Sequence, residues 1–137
     1  FSNFYGPGQS LKRLIPKAIN SIDKKVKFPL DGKGNSIRDF IFTDDFCEGI
    51  NLIIKKGKVG NNYHFSSNKF YKVKDIIKMI CQLKGISYKN FIEFKKDRIG
   101  KDKSYKLSCN KTIRELKWKP QYKLKKGIKM VIDYHAK

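Results

Sequence analysis

Histidine is almost missing from this chain: of 137 residues only His64 and His135 carry an imidazole. They lie far apart, and His135 is close to the end of the sequence. A nucleophilic relay needs a hydroxyl or thiol and an orienting group around such a base. No GxSxG, HExxH or P-loop is present, and no GxGxxG follows an apolar run. The common catalytic signatures and the dinucleotide fingerprint are therefore absent. Cysteine is scarce too. Cys47, Cys81 and Cys109 are odd in number, widely spaced and without a CxxC pair, which argues against a disulfide framework or a zinc site. Cys47 and Cys81 fall in apolar helical patterns and are expected to be inert core thiols of a cytoplasmic protein. No apolar run approaches the roughly 20 residues of a membrane span, so no membrane partner and no secretory leader are expected.

Acidic side chains are the next shortage. Twelve Asp and Glu face 32 Lys and Arg, a net charge of +20. Such a balance suits phosphate neutralisation on nucleic acid. The basic residues, however, are spread along the whole chain rather than gathered in a block. A solvated surface explains that spread, and no specific nucleic-acid partner is expected. Arginine is the rare cation, confined to Arg13, Arg38, Arg98 and Arg114. Its rarity makes each one informative. The planar guanidinium grips phosphate bidentately, whereas lysine supplies a point charge.

What is present is enough for one domain. Hydrophobic residues make up 39% and aromatics 13%, too many for a disordered chain. Phe1 to Tyr5 reads as the end of a strand, and Gly6-Pro7-Gly8 breaks it. Ser10 is placed to cap a helix reaching Ile22, with Pro16 either kinking it or marking its first turn. Val26 to Leu30 reads as a strand, followed by a turn over Asp31 to Asn35. The stretch RDFIFTDD, residues 38 to 45, holds a short strand that ends in two carboxylates. Either Asp44 or Asp45 is placed to cap the next helix, which runs to Lys56. Asn62 to Ser66 reads as a strand, Val73 to Lys84 as a helix stopped by Gly85, and Phe91 to Phe94 as a strand. A polar loop from Asp97 to Lys103 leads into Tyr105. Asn110 is expected to cap a short helix ending near Trp118, and Leu124 to Tyr134 forms the last one.

Catalytic spacing offers one candidate, the Tyr-xxx-Lys pair Tyr122 and Lys126. In a lysine-rich chain that match arises by chance, and Pro120 puts it in a surface stretch. The remaining candidates suit phosphate and ribose: Arg13 on the first helix, Arg38 after a Gly-rich turn, Arg98 in Asp97-Arg98-Ile99-Gly100, and Tyr105 beyond that loop. Taken together they are able to converge on a diphosphate.

Several of these signals occur in a fixed order. They are NFYGPGQ from Asn3, RLIPK from Arg13, FPLDGKG from Phe28, RDFIFTDD from Arg38, YHFS from Tyr63, DRIGKD from Asp97 with Tyr105, and ELKWKP from Glu115. The series resembles the C-terminal half of the extended short-chain dehydrogenase/reductase family, most closely its nucleotide-sugar 4,6-dehydratases of the dTDP-glucose type. It covers essentially the whole chain. The resemblance implies a mixed α/β fold, with late strands of an NAD(P)-binding Rossmann fold plus a small helical substrate-binding domain. It further implies that residues 1–137 are a single fragment, the nucleotide-sugar-binding portion. The NAD-binding portion, with the catalytic Ser/Thr, Tyr and Lys, would precede Phe1. A start on Phe1 rather than Met fits that expectation.

On this resemblance the chain contains no catalytic residue, and NAD is the cofactor of the parent. Asn3, Arg38 and Arg98 are expected at the substrate diphosphate. Arg13, Pro29, Leu30 and Asp31 are expected to line the nucleoside pocket, with Tyr105 supporting the same wall. Asp39 would orient Arg38 or pair with a backbone amide, a structural part. The implied partner is a nucleotide-diphosphate sugar, in deoxysugar and polysaccharide biosynthesis, and the parent would be a homodimer. Its reaction would move a hydride from sugar C4 to NAD, lose water across C5 and C6, and return the hydride to C6. Two departures bear on this. Ile99 and Lys101 replace a Pro and a His of the family's closing loop, and Asp31 stands where an aromatic often stacks on the base. The base therefore stays open. A 4-epimerase of the same superfamily is the first rival, and a basic nucleic-acid-binding module is the second.

Overall fold

The computed structural model describes residues 1–97, 100 and 102–136. Strand β1 (Asn3–Tyr5) pairs in parallel with β3 (Ile37–Phe42), in the register Asn3↔Phe40 to Tyr5↔Phe42. The other end of β3 pairs antiparallel with β4 (Phe70–Lys72). A second sheet holds β2 (Phe28–Asp31) and β5 (Ile92–Lys95), again parallel. The helices are α1 (Leu14–Asp23), α2 (Thr43–Lys56), α3 (Val73–Leu83), α4 (Tyr88–Phe91), α5 (Asn110–Leu116) and α6 (Leu124–His135). The architecture is mixed α/β, with parallel pairs joined through helices as such crossovers require.

Strand β3 organises the interior. Successive residues of a strand point to opposite faces. Phe40 and Phe42 enter a core with Tyr5, Ile19, Ile77, Ile128 and Val131. Ile41 enters a second core with Phe65, Cys109, Leu116 and Trp118. Both faces are covered, so the run Phe40-Ile41-Phe42 is continuously apolar rather than alternating. Helix α1 buries Ile15, Ala18 and Ile19 on one side. Pro16 lies in its first turn, where amide hydrogens lack partners in any case, so it starts the helix rather than kinking it.

Three local expectations need correction. The capping aspartate is neither Asp44 nor Asp45: α2 begins at Thr43 and both carboxylates fall inside its first turn, a position the helix dipole favours. Asp45 is fully buried there. Its carboxylate accepts the backbone N–H of Gln121 at 2.8 Å and of Tyr122 at 3.1 Å, while its carbonyl accepts the Trp118 indole N–H at 3.0 Å. Ser10 and Asn110 also fail as caps, since α1 starts at Leu14 and Asn110 is already inside α5.

Residues 62–66 do not form a strand. The Thr112 hydroxyl accepts the His64 N–H at 2.9 Å and donates to the His64 carbonyl at 2.6 Å. One side chain thus takes both main-chain groups that a ladder would use. Cys81 is buried as expected, but Cys47 is exposed and the second buried thiol is Cys109.

Candidate functional site

Strand β1 ends where α1 begins, and β2 follows α1. That short path brings the β1 residues, the start of α1, β2 and the mouth of β3 around one cleft of about 660 Å³. Seven residues singled out from the sequence line it: Asn3, Arg13, Pro29, Leu30, Asp31, Arg38 and Tyr105. The eighth, Arg98, lies outside the described residues. The floor is apolar, built from Ile15, Phe28, Leu30 and Phe40, all buried. The rim is cationic. Lys12, Arg13, Lys17 and Arg38 line the cleft against one carboxylate, Asp31, among the described residues.

Arg38 is held before any ligand arrives. It is half-buried at the mouth of β3. One terminal nitrogen, Nη1, donates to the Ile37 carbonyl at 2.7 Å, and Nη2 donates to the Asp102 carbonyl at 2.8 Å. A guanidinium carries five N–H donors, so two anchors leave three for a ligand. Among the described residues no carboxylate forms an ion pair with it. The same region positions Tyr105: its N–H donates to the Ile37 carbonyl at 3.1 Å, and the Ile37 N–H donates to Lys103 at 2.9 Å. Asn3 is tied to the same strand through its side-chain amide, which donates to the Asp39 carbonyl at 3.1 Å.

Asp39 takes the structural part. It is fully buried. Its carboxylate accepts the Ser66 hydroxyl at 2.5 Å, the Ser67 N–H at 3.0 Å and the Ser67 hydroxyl. It pairs with a backbone amide and does not orient Arg38.

Two tyrosines near the cleft and in the Tyr-xxx-Lys pair are held as donors. Tyr5 reaches the cleft, but its hydroxyl donates to the Leu124 carbonyl at 3.2 Å, and burial pushes its phenol well above the ordinary range. Tyr122 donates to the Asp44 carboxylate at 3.2 Å, and that hydrogen bond raises its pKa. A tyrosine base needs the opposite shift. The Lys126 ammonium sits 5.3 Å from the Tyr122 ring centre, a stacking contact. Among the described residues no cluster of His, Cys, Asp or Glu is arranged to hold a metal, and no helix is long and apolar enough to cross a membrane.

Lys12, Lys17 and Gln9 also line the cleft and were not singled out in the sequence. Gln9 donates to the Phe4 carbonyl at 2.8 Å, and the Lys17 ammonium lies 5.7 Å from the Phe28 ring centre. The two lysines carry no distinguishing signal in a chain so rich in lysine.

A family model described as GDP-mannose 4,6 dehydratase matches residues 1–131. The chain belongs to the GDP-mannose 4,6-dehydratase family. The match covers nearly all of the chain, so the resemblance drawn from its ordered motifs holds. A dTDP-glucose 4,6-dehydratase of Haemophilus influenzae is 33% identical over 144 residues, covering 98% of this chain and 43% of that enzyme. The chain thus spans less than half the length of that relative. The crystal structure of a dTDP-glucose 4,6-dehydratase from Streptomyces venezuelae, solved with NAD, superposes with a TM-score of 0.94 at 28% identity, over 98% of this chain and 42% of that one. A UDP-glucose 4-epimerase from Thermotoga maritima, solved with UDP-glucose, superposes with a TM-score of 0.92 at 22% identity, over 98% of this chain and 44% of that one. At that identity the epimerase shares the fold alone. The mixed α/β fold of this family member is therefore the Rossmann-type scaffold of its relatives.

Proposed function

We propose that this chain is the substrate-binding portion of an NAD-dependent nucleotide-sugar 4,6-dehydratase, and that its cleft holds the diphosphate of the substrate. The observation that carries the reading is the convergence of Asn3, Arg13 and Arg38 on one cationic cleft with an apolar floor. A diphosphate needs fixed positive donors, and a nucleoside needs an apolar wall; the cleft has both. Arg38 grips phosphate oxygens with the donors its two anchors leave unused. Asn3 approaches the same group, and Arg13, Pro29, Leu30 and Asp31 line the nucleoside side. By the resemblance, Arg98 is assigned to the same diphosphate. The dehydratase relative at 33% identity favours the dehydratase over the epimerase, which at 22% shares only the fold.

NAD supplies hydride chemistry in the parent reaction. The residues of this chain do not fit it, because no strand-to-helix turn carries the GxGxxG that seats a pyrophosphate. What these residues do is bind and orient the nucleotide sugar. We propose that the chain alone is inactive, that the parent is a cytoplasmic homodimer, and that nucleic acid is not a specific partner. The three free thiols suit a reducing compartment.

Calorimetric titration tests the reading. A nucleoside diphosphate should bind the chain, and the matching nucleoside should bind far more weakly. Equal affinity for the two would remove the diphosphate from the site. Incubation with NAD and dTDP-glucose should yield no keto sugar by mass spectrometry; turnover would refute the inactive portion of the proposal.

A further inference from the structure

Lysine and arginine make up 32 of the 137 residues, yet they are absent from residues 1–11 and 39–54, the two longest stretches without either. In the fold these stretches lie side by side. The first holds β1, and the second runs through β3 into α2. The Phe46 ring of α2 sits 5.9 Å from the Phe4 ring and 4.7 Å from the Phe1 ring, centre to centre. From Phe46 an apolar stripe continues along α2 through Ile50 and Ile54, at the spacing of one helix face. The stripe is open to solvent: Phe1 is 58% exposed, Ile50 39% and Ile54 79%. Cations that only solvate a surface have no reason to avoid one apolar face. Lysine is depleted, and aromatics are enriched, where a partner buries the surface.

The backbone points the same way. Strand β1 ends the sheet order β1-β3-β4, so among the described residues its outer edge carries no strand. It pairs in parallel with β3, and parallel strands belong inside sheets covered on both faces. A free edge beside an apolar stripe is a template for another strand. The length of the relatives says what covers it. More than half of the Haemophilus influenzae enzyme lies outside the match, and the turn that seats a dinucleotide is not in this chain. A second copy is the poorer occupant. Each copy carries +20, and a twofold pair sets the same surface against itself, so the exposed Asp44 and Glu48 of α2 would meet their own kind with no cation before Lys55 to offset them. Like charges across an interface oppose it.

We propose that this face, made of Phe1, Phe4, Phe46, Ile50, Ile54 and the free edge of β1, docks the portion of the parent that lies outside this chain, and that the two associate without a covalent link. The docked portion adds a strand along β1 and lays apolar side chains over α2. The inference rests on the reading of this chain as one portion of a longer parent.

The test is co-expression of the tagged chain with the part of the Haemophilus influenzae enzyme outside the match, followed by sedimentation of the purified material. The two should copurify as a one-to-one complex. Cys47, exposed beside the stripe, should react with iodoacetamide about tenfold more slowly in the complex, because access governs thiol reactivity. Ile50→Lys with Ile54→Lys puts two charges on the stripe and should abolish the complex. Lys125→Glu, at an exposed site on α6, should leave it intact. Ile50 and Ile54 line no part of the cleft, so the double variant should bind a nucleoside diphosphate like the unaltered chain, which also shows that it folds. A chain that purifies alone overturns the proposal, and so does a complex that survives the double substitution. Dimers of the chain by itself, dissolved by the same substitutions, assign the face to a second copy and overturn it too. Docking without any nucleoside diphosphate binding would instead remove the diphosphate reading and leave this one standing.

Discussion

The Arg38 guanidinium donates to the carbonyl oxygen of Asp102 at 2.8 Å, across 64 positions of sequence. That bond joins the mouth of β3 to the segment carrying Tyr105. It also fixes the guanidinium plane, together with the bond to Ile37. A side chain of this length loses up to about 2 kcal/mol of rotamer freedom when ordered. Here much of that cost is met in the fold, so a ligand finds the fork already oriented.

The first prediction follows from that anchoring. Arg38→Ala removes a charge-assisted contact of about 1.5–3 kcal/mol, so the Kd for a nucleoside diphosphate should rise about ten- to a hundredfold. Arg38→Lys should recover only part, because lysine keeps the charge and loses the fork. In a catalytically competent parent the loss should show in KM rather than kcat, as for a contact made equally in ground and transition states. Arg114 is exposed, lies near Glu115 and lines no part of the cleft. Arg114→Ala should leave Kd alone. Equal effects of Arg38→Ala and Arg114→Ala would reduce Arg38 to one more surface charge.

Much of this site was legible because arginine is rare and the motifs keep their order. Arg13, Arg38, Asn3 and Pro29–Asp31 at the end of β2 stood out for those reasons, and they share one cleft. Lys12 and Lys17 did not, since nothing local separates two rim lysines from so many others. The long helices followed from their apolar periodicity. Strand β4 escaped because three residues, Phe70–Lys72, are too short for a period to appear. Residues 62–66 look like a strand locally, but Thr112 arrives from 48 positions away to claim the main-chain groups of His64. Long-range hydrogen bonds of that kind leave no trace in a window of local sequence.

Asp39 should matter for stability rather than binding. Asp39→Ala takes the acceptor of the Ser67 N–H and leaves the Ser66 and Ser67 hydroxyls only longer contacts of 3.4 Å, to Asn68 and the Lys69 carbonyl. A buried unpaired polar group costs about 1–3 kcal/mol, so the loss should exceed about 2 kcal/mol in urea unfolding. A smaller loss would mean that water replaces the carboxylate.

Gly127 sits inside α6, where alanine is the better helix former by about 1 kcal/mol. The sign should reverse here. A Cβ on Gly127 runs into the Tyr5 hydroxyl and the Phe42 ring, and both are fully buried. Overpacking costs about 1–3 kcal/mol, and displacing Tyr5 adds its hydrogen bond to Leu124, about 1 kcal/mol. Gly127→Ala should therefore destabilise the fold by about 2 kcal/mol; a gain in unfolding midpoint would show that α6 is free to shift.

Alkaline pH gives a different handle. Burial pushes the Cys81 thiol from its ordinary value of 9.0 up to about 11, and it also raises Cys109, Tyr5 and Tyr71. Each of these groups is neutral when protonated, and the folded chain holds its proton more tightly than the unfolded one. Their stabilisation is therefore whole below the ordinary value and is lost as pH rises towards the folded value. Each group titrating in this way contributes a slope of about 1.4 kcal/mol per pH unit. The net charge of +20 works in the opposite direction, because losing protons from amines relieves self-repulsion, but an ordinary amine gives up its proton at higher pH than an ordinary thiol. The thiols thus dominate just above their ordinary value. Urea midpoints should hold steady from about pH 7 to 9 and fall over the next unit. Cys81→Ala should make that fall shallower, since one of the two buried thiols no longer contributes. Cys47→Ala, at an exposed thiol, should leave the slope unchanged. A slope that is identical in Cys81→Ala and the unaltered chain would mean that Cys81 gains no protection from burial.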